Sequence, residues 1–275
     1  MCTVCRRSLL ALFPASALPT SSAVAQGAPG FERIPVSAPL CAAPNSRSRS
    51  GELRIYGSRA DIGARRSFRI GTREFALLRG SGDPSLDEVL GEALSDILNR
   101  LEFGAHQVPA VFFIDDGDLP NAFAWSASIR HGTTGTLALG TSMLRNMIAL
   151  GGSAVRAILV HEAAHLYQFI NRLEMGESAR DSQRRELQAD YVAGWELARW
   201  LGASPAGLGH ARIAANAMIS IGVPSNLPPD QATHGNANQR FRAFMEGWID
   251  GAAGAVVQPR AAFAKGSEVA WRAVG

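Results

Sequence analysis

The residues that decide how this chain reads are Ala157-Ile158-Leu159-Val160-His161-Glu162-Ala163-Ala164-His165-Leu166-Tyr167-Gln168-Phe169-Ile170. Both flanks are good buried-helix sequence, and the middle holds two histidines and a glutamate in the pattern H-E-x-x-H. At 3.6 residues per turn, positions four apart differ by only about 40° around the axis, so both imidazoles can reach one ion. Burying these three side chains on an apolar helix is unfavourable unless something binds them. Two neutral nitrogen donors suit zinc, and Glu162 is placed to take a proton from water at that ion rather than to bind it. The pattern needs a third ligand.

The next predicted helix, Ser182 to Leu201, contains Glu186-Leu187-Gln188-Ala189-Asp190. Its two carboxylates are also four apart and share a face. One can ligate an ion while the other orients a ligand histidine through its free ring N–H. Three protein ligands with a corner left for water is the open, catalytic arrangement, whereas a structural site more often closes with four. The competing reading is a solvated acidic face paired with Arg184 or Arg185. Cys41 is the only cysteine beyond the first 25 residues, so no thiolate cage and no intramolecular disulfide is available there.

Outward from this helix pair, short strands are expected over Leu53 to Tyr56 and Ser67 to Leu78, the second bending at Gly71-Thr72. Asp83-Pro84 is a helix start, and Leu86, Val89, Leu90, Ala93, Leu94, Ile97, Leu98 and Leu101 repeat at helical spacing up to Gly104. Val108 to Ile114 reads as a strand, closed by Asp115-Asp116-Gly117-Asp118. That acidic run lacks the remaining positions of a calcium loop and is expected to be a solvated turn. Strands near Asn121 to Ile129 and Gly135 to Leu139 flank the turn His131-Gly132-Thr133-Thr134. Helices follow near Ser142 to Ala149, Ser153 to Leu173, Ser182 to Leu201, Pro205 to Ile221 and Asn236 to Ile249. Strands first and helices later predict an α+β domain, a small sheet carrying packed helices.

The ends read differently. Arg6 and Arg7, the apolar stretch Ser8 to Leu18 and Ala23-Val24-Ala25 form a signal-peptide pattern over residues 1–25, with a twin-arginine flavour. Residues 26–50, rich in Pro, Ser and Ala, read as a tether. The domain is expected over 51–251, followed by a tail over 252–275. Composition is ordinary for a globular chain, with 47% hydrophobic and 19% charged residues. With 27 basic against 24 acidic side chains, the net charge of +3 makes nucleic acid a poor partner. No apolar run beyond the leader is long and uncharged enough for a membrane span, so the mature chain is expected to be soluble, periplasmic or secreted. His106, His131 and His210 have no ligand-like spacing, and the five tryptophans form no stripe.

The helix pair resembles the glutamate-ligand zincins, specifically peptidases of the HtpX and CAAX prenyl protease type. Residues 186–194, Glu-Leu-Gln-Ala-Asp-Tyr-Val-Ala-Gly, are also similar to bacterial neutral zinc metallopeptidases. Pro120-Asn121-Ala122-Phe123-Ala124 resembles the strand bordering the cleft in such enzymes, residues 135–144 the segment after it, and Thr233-His234 with Arg240 a late Thr-His-Pro segment and its arginine. Gly235 stands where the first family has proline, and the several membrane spans of HtpX are missing. The resemblance covers about residues 119–247 and implies a zincin-like fold with a mostly antiparallel sheet. It implies one zinc per chain on His161, His165 and Glu186, with Asp190 orienting a ligand and Glu162 as the base in peptide-bond hydrolysis. It further implies Asn121, Ala122, Phe123 and Ala124 as the strand that receives a protein or peptide substrate. His234 and Arg240 are the candidate cations for the oxyanion; the plain alternative is a loop cap and a surface ion pair. A different class of function on the same scaffold is a proteolytically latent chaperone or assembly factor of the bacterial envelope.

Overall fold

The strand and helix signals resolve into five strands and seven helices among the residues that a computed structural model describes: 67–70, 73–78, 80–104, 106–118, 120–128, 132–173, 176, 178–221 and 234–275. The leader over 1–25, the tether over 26–50, Cys41, the strand at Leu53 to Tyr56, the bend at Gly71-Thr72, His131 and Thr233 lie outside the described residues. The strands are β1 (Ser67–Ile70), β2 (Arg73–Leu78), β3 (Ala110–Asp115), β4 (Ala122–Trp125) and β5 (Thr136–Gly140). They form one sheet in the order β1-β2-β3-β5-β4. Only β3 and β5 run parallel; the other pairs are antiparallel. The sheet is therefore mostly antiparallel and the class is α+β, as the order of signals implied.

Strand β4 forms one edge, with Ala122 opposite Leu139 and Trp125 opposite Thr136. Alternation divides its side chains: Ala122 and Ala124 pack toward the helices, while Phe123 and Trp125 join Phe75, Ile114 and Ala138 on the other face. The side turned to the helices thus carries only methyl groups.

The helices are α1 (Pro84–Arg100), α2 (Thr141–Leu150), α3 (Gly152–Ile170), α4 (Ala179–Leu201), α5 (Pro205–Ile219), α6 (Ala237–Ala253) and α7 (Pro259–Val274). Asp83 caps α1 by accepting from the N–H groups of Ser85 and Leu86. The helix stops at Arg100, short of Gly104, because Glu102 turns left-handed at φ 59°. The expected tail is a docked helix: α7 packs on α4 and buries Ala262, Phe263, Val269 and Ala270.

The solvated turn at 115–118 is corrected at one residue. Asp115, Gly117 and Asp118 are exposed, but Asp116 is buried and accepts from the N–H groups of Asn121 (3.0 Å), Ser142 (2.7 Å) and Met143 (2.9 Å). It supplies the cap that Gly140, at the N-cap of α2, lacks. A Cβ at Gly140 would overlap the Asp116 carboxylate, so only glycine allows this approach.

Helix α3 lies at the centre, against α4, α5, α1, α2 and β4. Its Arg156 is fully buried and donates to Glu196 of α4 (3.1 and 2.5 Å) and to Asp96 of α1 (2.7 Å). Helices α4 and α6 approach backbone to backbone. A Cβ on Gly194 would strike the Phe244 carbonyl oxygen, and one on Gly247 the Tyr191 carbonyl oxygen. This contact sets the distance between any side chains the two helices present to each other. Among the described residues, no helix is long and apolar enough to cross a membrane.

Replacing Gly247 by alanine should therefore destabilise the domain by about 1–3 kcal/mol, since the obstacle is backbone and cannot rotate away. Gly91→Ala on α1, where a Cβ would meet nothing within 4 Å, should be neutral or slightly stabilising. Denaturant unfolding of both variants measures the difference.

Candidate metal centre

Helix α3 is apolar almost all round, and the turn that carries His161, Glu162 and His165 faces a cleft of about 300 Å³. Helix α4 crosses it so that Glu186 enters the same cleft. The Nε2 atoms of His161 and His165 lie 3.0 Å apart. Glu186 places Oε2 3.3 Å from the first and Oε1 3.4 Å from the second. These three residues offer donor atoms that all lie within 4.8 Å of one another and could hold a metal ion; His234 is not in that group. Of the two carboxylates the spacing left open, Glu186 is the one beside both histidines.

Asp190, one turn further along α4, sits behind His161. Its Oδ1 is 3.0 Å from His161 Nδ1, in an approach bent away from a straight hydrogen bond. Arg240 of α6 grips the same carboxylate twice, Nε to Oδ2 at 2.8 Å and Nη2 to Oδ1 at 2.9 Å, and donates from Nη1 to the Ile221 carbonyl at 3.1 Å. All three guanidinium nitrogens are thus engaged within the protein, a geometry that suits holding Asp190 better than meeting an oxyanion. The ion pair is buried, not on the surface. His165 is oriented from its other side, with Nδ1 2.9 Å from Gln168 Oε1.

His234, preceding α6, brings Nδ1 to 2.9 Å from Glu186 Oε2 and keeps about a third of its side chain exposed, 34%. It reaches the centre from the solvent side, and the cap it was weighed against is supplied by Asn236, which accepts from Gln239 N. Asn121, Ala122, Phe123 and Ala124 line the opposite wall, so the edge of β4 runs along the cleft. Ile158, Phe169, Met218, Ile221, Ser182 and Arg185 complete it; none of these was read from the sequence as lining a site, because apolar or exposed character on a helix does not distinguish a cleft from ordinary surface. His106 is exposed, His210 is buried away from the cleft, and Trp195 and Trp248 are core residues.

The electrostatics divide two glutamates of one cleft. Burial pushes the Glu162 carboxyl up against the opposing pull of His161 and His165, and among the described residues it has no hydrogen-bonding partner. Glu186 is also buried, but the nearby His165 and His234 overcome that and hold it well below the usual carboxylate range. Burial disfavours the charged His161 ring, yet Asp190 and Glu186 outweigh it and bring it up to about 10. Asp190 is lowered because Arg240 overrides its burial. In the protein alone, a proton on His161 answers the two carboxylates flanking it.

No protein-family profile, curated protein or solved structure matches this chain.

Glu186→Ala removes one donor of three and should leave too few ligands to retain a divalent ion through dialysis, read with zinc as probe. Asp190→Asn keeps the shape but halves the charge network. It should weaken zinc binding by about 10–100-fold and, by stranding Arg240, destabilise the fold by about 3–5 kcal/mol. Competition with a chromophoric chelator and thermal unfolding read the two effects separately.

Proposed function

We propose that this chain is an exported, zinc-dependent metallopeptidase with a zincin-like fold, hydrolysing peptide bonds in protein or peptide substrates of the periplasm or cell exterior. The observation that carries the reading is the spacing of the three donors. His161, His165 and Glu186 each offer one donor atom, all within 4.8 Å of one another, with the two Nε2 atoms 3.0 Å apart and a Glu186 oxygen within 3.4 Å of each, so that all three could converge on one ion at zinc-like bond lengths of about 2.0–2.2 Å. Two imidazoles and one carboxylate also form a donor set common in catalytic zinc sites, with a corner left free.

Zinc, when bound, supplies a Lewis acid that polarises a carbonyl and acidifies water. The chain's own groups supply the rest. Glu162, buried, unpaired among the described residues and raised in pKa, takes a proton from the attacking water and returns it to the leaving amine. Asp190 keeps the His161 ring in place, and Arg240 keeps Asp190 charged. The edge of β4 presents backbone donors and acceptors to an extended substrate, and the methyl groups of Ala122 and Ala124 leave room for it. His234, whose burial disfavours a proton but whose contact with Glu186 outweighs it and draws its pKa up, is the group placed to meet negative charge developing at the scissile carbonyl.

Glu162→Gln should lower hydrolysis of an unfolded protein by about 10²–10⁴-fold while zinc content stays at one per chain. Chelation should abolish wild-type activity, and added zinc should restore it. Activity that survives in the Gln variant sinks the role of Glu162. A wild-type protein that holds zinc without cleaving any unfolded protein points instead to the latent scaffold.

A further inference from the structure

The zinc reading rests on His165 offering a lone pair at Nε2, and a neutral imidazole can equally carry its proton there. Something must choose the tautomer. His165 Nδ1 faces Gln168 Oε1 at 2.9 Å, one turn along α3. Gln168 is almost wholly buried, and its Nε2 donates to the Arg185 carbonyl (2.9 Å) and to Gln188 Oε1 (2.8 Å). Gln188, also buried, donates from its Nε2 to the Phe263 carbonyl (2.8 Å) and to Ser267 Oγ (2.6 Å), both on α7.

Two of these partners are backbone carbonyls, which can only accept. An amide side chain presents its NH₂ to them and therefore its oxygen away from them. Arg185 O and Gln188 Oε1 fix the Gln168 amide, and Phe263 O fixes the Gln188 amide, so neither orientation is arbitrary. The outcome at the end of the row is an acceptor facing His165 Nδ1. That requires Nδ1–H and leaves the lone pair on Nε2, aimed at His161 and Glu186. Turning the Gln168 amide over would face NH₂ against the ring and two acceptors against an oxygen.

We propose that Gln168 is a positioning residue that fixes the tautomer of His165, and that Gln188 ties its amide to the carboxy-terminal helix α7, so that docking of α7 and metal affinity are linked. The amides of Gln168 and Gln188 carry no charge, so the link works through hydrogen-bond direction.

The test uses the full chain with ¹⁵N-labelled histidine, metal-free, in long-range ¹H–¹⁵N spectra that separate the two neutral tautomers, together with zinc affinity by chelator competition. Wild type should show His165 protonated at Nδ1. Gln168→Met should populate the other tautomer and raise the zinc Kd by about 10–100-fold. Gln188→Met, which leaves the Arg185 anchor in place, should shift both readouts in the same direction by a smaller factor. Ser267→Ala spares the Phe263 carbonyl and should match wild type. The proposal is overturned by a wild-type His165 protonated at Nε2, a result that needs no variant to fold. It is equally overturned by a folded Gln168→Met or Gln188→Met with wild-type tautomer and a Kd within twofold. A wild type with the stated tautomer that binds no zinc defeats the metal reading, and with it the link to metal affinity, and leaves the tautomer assignment to Gln168 standing.

Discussion

A single carboxylate, that of Asp190, is completely buried and is held on two sides by groups from other helices: His161 from α3 and Arg240 from α6. A charge in that position is tolerated only because it is paired and hydrogen-bonded. The contact can exist only if α6 reaches α4 with almost no side chain between them, which Gly194 and Gly247 permit. The geometry of the His161, His165 and Glu186 cluster is therefore not a local property of the H-E-x-x-H turn. It is set by a backbone contact between two helices, one of which carries none of the three donors.

Between α3 and α4 a second buried contact stands: Arg156 of α3 meets Glu196 of α4 and Asp96 of α1, with Arg100 joining from α1. Glu196 lies six residues, nearly two turns, beyond Asp190. Helices α3 and α4 are thus fastened by charge at two points, with apolar packing between. Such pairs add little net stability over well-packed apolar groups but strongly penalise misalignment, because a slipped helix strands several charges at once. Register is what a three-donor centre needs, since one residue of slip along α4 would turn Glu186 by about 100° away from the imidazoles.

The sequence was informative wherever chemistry and periodicity coincided. H-E-x-x-H and the i, i+4 carboxylates could be read because a polar side chain on an apolar helix is conspicuous and its angular position follows from its number. The order of elements was readable for the same reason, down to the cap at Asp83 and the start of α6 at Asn236. Three features were not. Asp116 stood in a run of acids and looked solvated, because nothing local reveals that α2 begins at a glycine needing a distant cap. Arg240 looked available for catalysis, because its partner lies fifty residues back. Gln168, within a flank read as buried helix, and Gln188, between two carboxylates, drew no reading of their own, although each is buried and a buried polar group must find partners. Their signal was burial, and burial belongs to the tertiary structure.

Two chemically identical side chains show how the fold assigns roles. Glu162 and Glu186 share one cleft, yet their environments push them in opposite directions, the first upward by burial and the second downward by the histidines around it. The difference arises from placement alone: Glu186 projects between both imidazoles and His234, whereas Glu162, adjacent to His161 in sequence, points about 100° away around α3 and finds no partner among the described residues. A carboxylate that must stay ionised to bind a cation and another that must accept and release a proton are what hydrolysis at a metal requires. Geometry, in turn, weighs against reading Glu186 and Asp190 as a solvated acidic face: Arg184 pairs with Asp181 and Arg185 donates to the Gly176 carbonyl, while Glu186 sits beside both imidazoles and Asp190 is buried between His161 and Arg240.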